Sequence, residues 1–184
     1  ANRDGLMDNK KAGLGALEYG ALTGIETDIY LAAVWVRATY AMQMFARIAG
    51  DKELVSQAAA HHSLAKKAFL QKFWDEENQF YAYAFNSEGQ TVKEISPWNA
   101  LGMMWGLGAE ERSLRTLEKL CSSEITTDWG IRSISTNSKY FQPLNYNYGA
   151  VWPFLTSWVT SALYKHHMPQ QAYSLLISTA NHTF

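Results

Sequence analysis

The chain has 184 residues, a formal net charge of -1, 18% charged residues, 47% hydrophobic residues and 14% aromatics. That length suits one domain with a sizeable packed core, and the apolar content excludes a disordered chain. Near neutrality and the lack of any lysine or arginine run leave no footprint for nucleic acid or a membrane surface. No stretch approaches the roughly 18 apolar residues that span a bilayer.

Cys121 is the only cysteine, so no intramolecular disulfide can form. It closes a helical stretch among apolar neighbours and reads as a small packed residue rather than a reactive thiol. The opening "ANRDGLMDNKK" has neither an initiating Met nor a signal-peptide apolar region. The sequence therefore reads as a fragment or processed product of a soluble protein, with bacterial cytoplasm and periplasm both open.

In chain order, the first helix is predicted over Glu26 to Ala49, apolar nearly all round and hence buried on most sides. Gly50 then Asp51 reads as a stop followed by an N-cap. A second helix follows to about Phe73, with Leu54, Ala58, Ala65, Phe69 and Phe73 along one face. "QFYAYAFNSEGQTV" alternates with a period of two, with Tyr81, Tyr83 and Phe85 on one side, and predicts a small hairpin turning at "NSEG". Ser96-Pro97 opens a short helix, "PWNALGMMWGLG". A fourth helix covers about Ala109 to Ser122, a fifth about Ala150 to His166, and Pro169 opens a sixth.

Short links thus join helices into pairs, and long aromatic connections join one pair to the next. The longest, Asp128 to Pro153, holds Trp129, Tyr140, Phe141, Tyr146, Tyr148 and Trp152 among glycines and asparagines. Connections of more than roughly 12–15 residues are usually functional. Sugars present apolar C–H faces edged by hydroxyls, so rings for stacking beside amides, carboxylates or a guanidinium suit a saccharide. Trp98, Trp129, Tyr148 and Trp152 with Asn99, Arg132, Asn145 and Asn147 offer that mixture; Trp35, Trp105 and Trp158 are assigned to packing.

Among carboxylates, Glu18 lies in a glycine-rich, otherwise uncharged stretch beside Leu17 and Tyr19, surroundings that favour the protonated form and suit a general acid. An exposed turn glutamate is the plainer reading. Glu26 and Asp28 stand at a helix entry, where the dipole alone accounts for them. Asp128 fits a sugar hydroxyl or an Asx turn equally. His61–His62 and His166–His167 are adjacent pairs, wrongly spaced for a shared metal and read as surface or helix-end positions. No phosphate loop, serine elbow or zinc spacing occurs, so no metal or organic cofactor is implied.

"TTDWGIRSIS" followed by "YNYGAVWPF" resembles the paired T-x-W-G-[LI]-R-[ST]-[LI]-S and Y-x-x-G-x-V-W-P motifs of the glycogen-debranching amylo-α-1,6-glucosidases and their (α/α)6-barrel glycosidase relatives, including glucoamylases. "GALEYG…TDIYLAAVWVRA" is similar to the segment in which the catalytic acid precedes a buried inner helix, although the debranching enzymes carry aspartate, in "WMD", where Glu18 stands. The resemblance implies an all-α fold of helical hairpins, with residues 1–184 forming a single domain that is about half of an (α/α)6 toroid, and a small inserted β-hairpin. It also implies an inverting, exo-acting hydrolase of α-glucosidic bonds in an oligosaccharide or glucoside. Glu18 matches the acid, and Trp129, Arg132, Tyr148 and Trp152 match motif positions near the substrate; Asp28 and Trp98 join them as substrate-binding candidates of this sequence. The family's base falls after the last inner helix pair, so the 184 residues are expected to be inactive alone and to self-associate through an exposed apolar face. The rival readings are a non-catalytic helical module binding carbohydrate or protein, and a toroid isomerase or lyase, which would want a histidine near the aromatic residues.

Overall fold

A computed structural model describes residues 4–9, 22 and 25–181. Six α-helices succeed one another: α1 (Ile29–Ala49), α2 (Lys52–Lys72), α3 (Leu101–Met104), α4 (Glu110–Leu120), α5 (Pro153–Lys165) and α6 (Pro169–Ala180). Short strands lie between them: β1 (Thr27–Asp28), β2 (Trp74–Asp75), β3 (Phe80–Tyr81), β4 (Ala84–Phe85), β5 (Thr91–Val92), β6 (Thr126–Thr127) and β7 (Gly130–Ile131).

The helix boundaries follow from capping chemistry. Asp28 is the N-cap of α1, its carboxylate accepting the Leu31 N–H at 2.6 Å. Gly50, at φ 74°, ends α1 in the left-handed conformation that glycine adopts without strain. Asp51 then accepts the Leu54 N–H at 2.9 Å and opens α2, so a two-residue link folds the pair into an antiparallel hairpin. Alanines at 32, 33, 58, 65 and 68 are buried along this pair, and small side chains let the helices pack closely. Proline starts both α5 and α6 at a position where a missing N–H costs nothing.

The expected third helix is instead a 3-10 turn, Pro97–Ala100, followed by the single α-turn of α3. Ser96 and Asn99 form a reciprocal capping box at its start, and Gly106 at φ 67° ends it. α3 packs between α1 and α5, and a Cβ on Gly102 would stand 2.6 Å from the Phe69 ring, so only glycine admits that approach. Buried His166 ties the end of α5 to the other pair: Nε2 lies 3.2 Å from the Met103 carbonyl and Nδ1 3.1 Å from the Glu110 carboxylate. His166 stands at a helix end, one of the two expected positions, but is buried there by its bonds to Met103 and Glu110.

The hairpin forms as β4 and β5 across the Asn86–Gly89 turn, and β1 joins its free edge to give the order β1-β4-β5. Tyr81, Ala82, Tyr83 and Ala84 are all buried, so both faces of this alternating segment are covered. α1 departs from expectation too. Its N-terminal half is enclosed, but its last turns leave Phe45 at 66% and Ile48 at 82% exposure. Val34, Ala38, Ala41, Phe45 and Ile48 recur four and three apart as an uncharged stripe, exposed at Ala38, Phe45 and Ile48, while Val34 packs against the core. No helix of the described residues is long and apolar enough to cross a membrane.

Candidate functional site

The first turn of α1, the 3-10 turn and the first turns of α5 meet through aromatic rings. Tyr30 stacks on Trp158 with centroids 6.0 Å apart and planes 14° apart, and meets Trp98 edge-on at 5.0 Å. Trp98 contacts Trp158 at 5.5 Å and Phe154 at 6.1 Å. Phe154 continues the array to Trp152 at 6.1 Å, and Trp152 meets Tyr146 at 4.7 Å. Phe154, Tyr146 and Trp129 are all exposed, Trp129 most of all at 59%. Solvent-facing rings at the helix N-terminal end are what saccharide stacking requires. Trp158, assigned to packing from the sequence, belongs to this array while remaining half-buried.

The long connection is held open by its own backbone. Arg132 bridges Val151 in antiparallel register, and the Ser133 N–H donates to the Ala150 carbonyl at 2.9 Å. The Ile131 N–H donates to Thr156 Oγ1 at 3.1 Å, seating β7 on α5. The Arg132 guanidinium lies over Phe141, 5.5 Å from the ring centroid, and donates to the Gly149 carbonyl at 3.3 Å. It therefore braces the loop. Asn145 Oδ1 accepts the N–H groups of Asn147 and Tyr148 at 2.9 and 3.1 Å, and Asn99 is buried with its amide on the Tyr81 carbonyl. Asn145 is thus engaged in a local backbone turn, and Asn99 in a bond to a distant backbone carbonyl.

Of the sequence-derived site residues, Trp152 belongs to the ring array and Trp129 is exposed on the β6–β7 turn. Trp98, Tyr148 and Asp28 are buried, at 9%, 3% and 1% exposure. The Tyr148 hydroxyl accepts the Leu22 N–H at 3.0 Å. The Trp98 indole N–H is buried and has no partner among the described residues. Burial of the Asp28 carboxyl raises its pKa, against the lowering effect of hydrogen bonds from Leu31, Asn9 and Tyr30. Glu18 lies outside the described residues.

Asp8 is a carboxylate that the sequence reading passed over. It is half-buried and accepts a hydrogen bond from Thr27 Oγ1 at 3.0 Å, which places it beside the strand that runs into Asp28 and Tyr30. The one signal in the sequence was a carboxylate directly after Leu6 and Met7 in "GLMDN". Half-buried Cys121 has its thiol pushed up to about 11, chiefly by desolvation, which suits an unreactive packing residue. No group of three or more His, Cys, Asp or Glu among the described residues could hold a metal ion.

Helices paired by short links, with a long aromatic connection between pairs, define a domain of helical hairpins. The chain belongs to the mannosylglycerate hydrolase MGH1-like glycoside hydrolase domain family, whose model matches residues 21–183. The match is to this family rather than to the debranching group that the motifs resemble. No curated protein matches the chain at the sequence level. The fold is similar to the GH63 mannosylglycerate hydrolase from Thermus thermophilus in complex with Tris, with a TM-score of 0.73 and 15% identity over 87% of this chain and 38% of that one. The same enzyme in complex with glucose gives 0.72 and 16%, over 85% and 37%. A structure titled sialidase gives 0.78 and 10%, over 97% of this chain and 18% of that one. The chain therefore spans less than two fifths of the length of these structures.

Proposed function

We propose that this chain forms part of the active site of an inverting, exo-acting hydrolase of α-glucosidic or closely similar bonds, built on a toroid of helical hairpins. The observation that carries the reading is the run of touching rings Tyr146–Trp152–Phe154 at the N-terminal end of α5, with Tyr146 and Phe154 exposed and Trp129 exposed on the β6–β7 turn. Trp129 and Trp152 stack on the sugar; Trp98, Tyr148 and Arg132 hold the surface from below. The general acid is Glu18 by motif or Asp8 by position, and inversion needs a second carboxyl roughly 6.5–9.5 Å away to activate a water. Family membership supports a carbohydrate substrate, and the glucose complex of the Thermus enzyme supports a hexose-sized ligand.

A crystal structure with an aminosugar glycosidase inhibitor tests this. Its nitrogen is expected within hydrogen-bond reach of Glu18 or Asp8, with the ring against Trp129 or Trp152. Inhibitor density elsewhere, or affinity unchanged in Trp129→Ala and Trp152→Ala, favours the non-catalytic helical module.

We further propose that the chain in isolation associates with a second copy of itself through the uncharged α1 stripe. Ala38 and Ala41 in its middle allow close approach of another helix, and the four-three spacing suits helix-on-helix packing.

A further inference from the structure

We propose that Asp28 is a positioning residue of the sugar site, acting through Asn9; this rests on the saccharide-site reading above. The Asp28 side chain is almost wholly buried and divides its two oxygens between two tasks. Oδ1 caps α1 by accepting the Leu31 N–H, and Oδ2 accepts the side-chain amide of buried Asn9. Capping alone does not call for a buried carboxylate, because one hydroxyl or amide oxygen serves an N-cap, and an ionised group taken out of water is costly. The second oxygen is what distinguishes Asp28.

Its partner belongs to a segment of residues 4–9 laid across the α1–α2 pair. Asn9 also donates its N–H to the Glu26 carbonyl at 2.6 Å, the Trp35 indole donates to the Gly5 carbonyl at 3.1 Å, and Lys72 pairs with Asp4. The Asp28–Asn9 bond is the buried polar tie at the end of this segment nearest Tyr30, and Tyr30 rests on Trp98 and Trp158. One carboxylate thereby sets α1's first turn and the backbone that carries Asp8.

A swapped pair separates this role from simple capping. Asp28→Asn keeps the oxygen that caps Leu31 but turns an amide towards the Asn9 amide. Asp28→Asn with Asn9→Asp restores the bond in reverse. In the full chain, amide exchange followed by NMR reads the tie, and tryptophan fluorescence titrated with D-glucose reads the site. Asp28→Asn is expected to speed exchange of the Asn9 amide about tenfold and weaken glucose binding by a similar factor, with the Leu31 amide still protected. The double variant is expected to return both towards the parent.

Unchanged Asn9 exchange in Asp28→Asn overturns the tie. Faster exchange with unchanged glucose affinity, or a folded double variant that recovers neither, overturns the positioning role while leaving the sugar site standing. A parent chain that does not respond to glucose overturns both readings, and the exchange result then shows whether the tie itself exists.

Discussion

Gly149 lies so close to Gln142 that a Cβ on it would stand 2.1 Å from the Gln142 carbonyl oxygen and 3.0 Å from Pro143 Cα. Both are backbone atoms and cannot swing aside as a flexible side chain would. The same contact region carries the Gln142 N–H to Tyr148 carbonyl bond at 2.8 Å and the Arg132 bond to the Gly149 carbonyl. Gly149→Ala must therefore reopen the aromatic connection. The expected loss is about 2 kcal/mol or more, measured by urea unfolding. A variant as stable as the parent would show that the connection has another path available.

Asp28 makes a pH prediction whose sign follows from burial. Its pKa in the folded chain is raised by desolvation above the ordinary value of 3.8. Between that value and the folded pKa, the native state holds a proton that the unfolded state has released. Stability therefore falls as pH rises through the window, and Asp28 disfavours folding above it. Urea unfolding of the parent and Asp28→Asn as a function of pH is expected to show the parent gaining on the variant as pH drops towards about 4. A difference independent of pH across that range would contradict the raised pKa.

Tyr83 is buried among Asp28, Tyr148 and Glu94; burial, and then these groups, push its phenol well above the usual range, and its hydroxyl has no hydrogen-bond partner among the described residues. An unpaired buried hydroxyl costs stability that phenylalanine does not incur. Tyr83→Phe is expected to leave stability unchanged or raise it by about 1 kcal/mol in thermal or urea unfolding. A clear loss would place a partner for the hydroxyl outside the described residues.

The α1 stripe gives a solution-state expectation. Sedimentation velocity of the isolated chain is expected to show a dimer at micromolar concentration. Ala41→Glu, which puts a charge in the middle of the uncharged seam, is expected to shift it to monomer. A parent chain that sediments as a monomer across the accessible range would remove the stripe from consideration as a self-association surface.

Much of the architecture was legible because it rests on local chemistry. Gly50-Asp51 announced a helix stop and a new cap, and Pro169 opened a helix at a position where a missing N–H is harmless, while the fifth helix, expected from about Ala150, begins at Pro153. "NSEG" turned a hairpin, and the aromatic connection stood out by composition and length alone. These features depend on residues within one or two turns of each other, so a linear reading can find them.

Depth and direction were not legible, because they depend on what other elements place overhead. Trp98, Tyr148 and Asp28 are residue types that line sugar sites, yet their neighbours bury them: Tyr30, Phe154 and Trp158 around Trp98, Leu22 and Tyr140 beside Tyr148, Asn9 beside Asp28. Trp158 reads as packing within its helix and becomes part of the array only because Tyr30 lies on it. Asp8 looks like one more polar residue near an end until Thr27 and Asn9 hold it against β1. By itself the sequence determined the helical pairs, their caps and the aromatic loop between them, since capping, turn geometry and hydrophobic period act over short range. Only the tertiary structure decided which rings face solvent and which carboxylates are buried, since exposure is a property of the neighbours that long-range packing brings together.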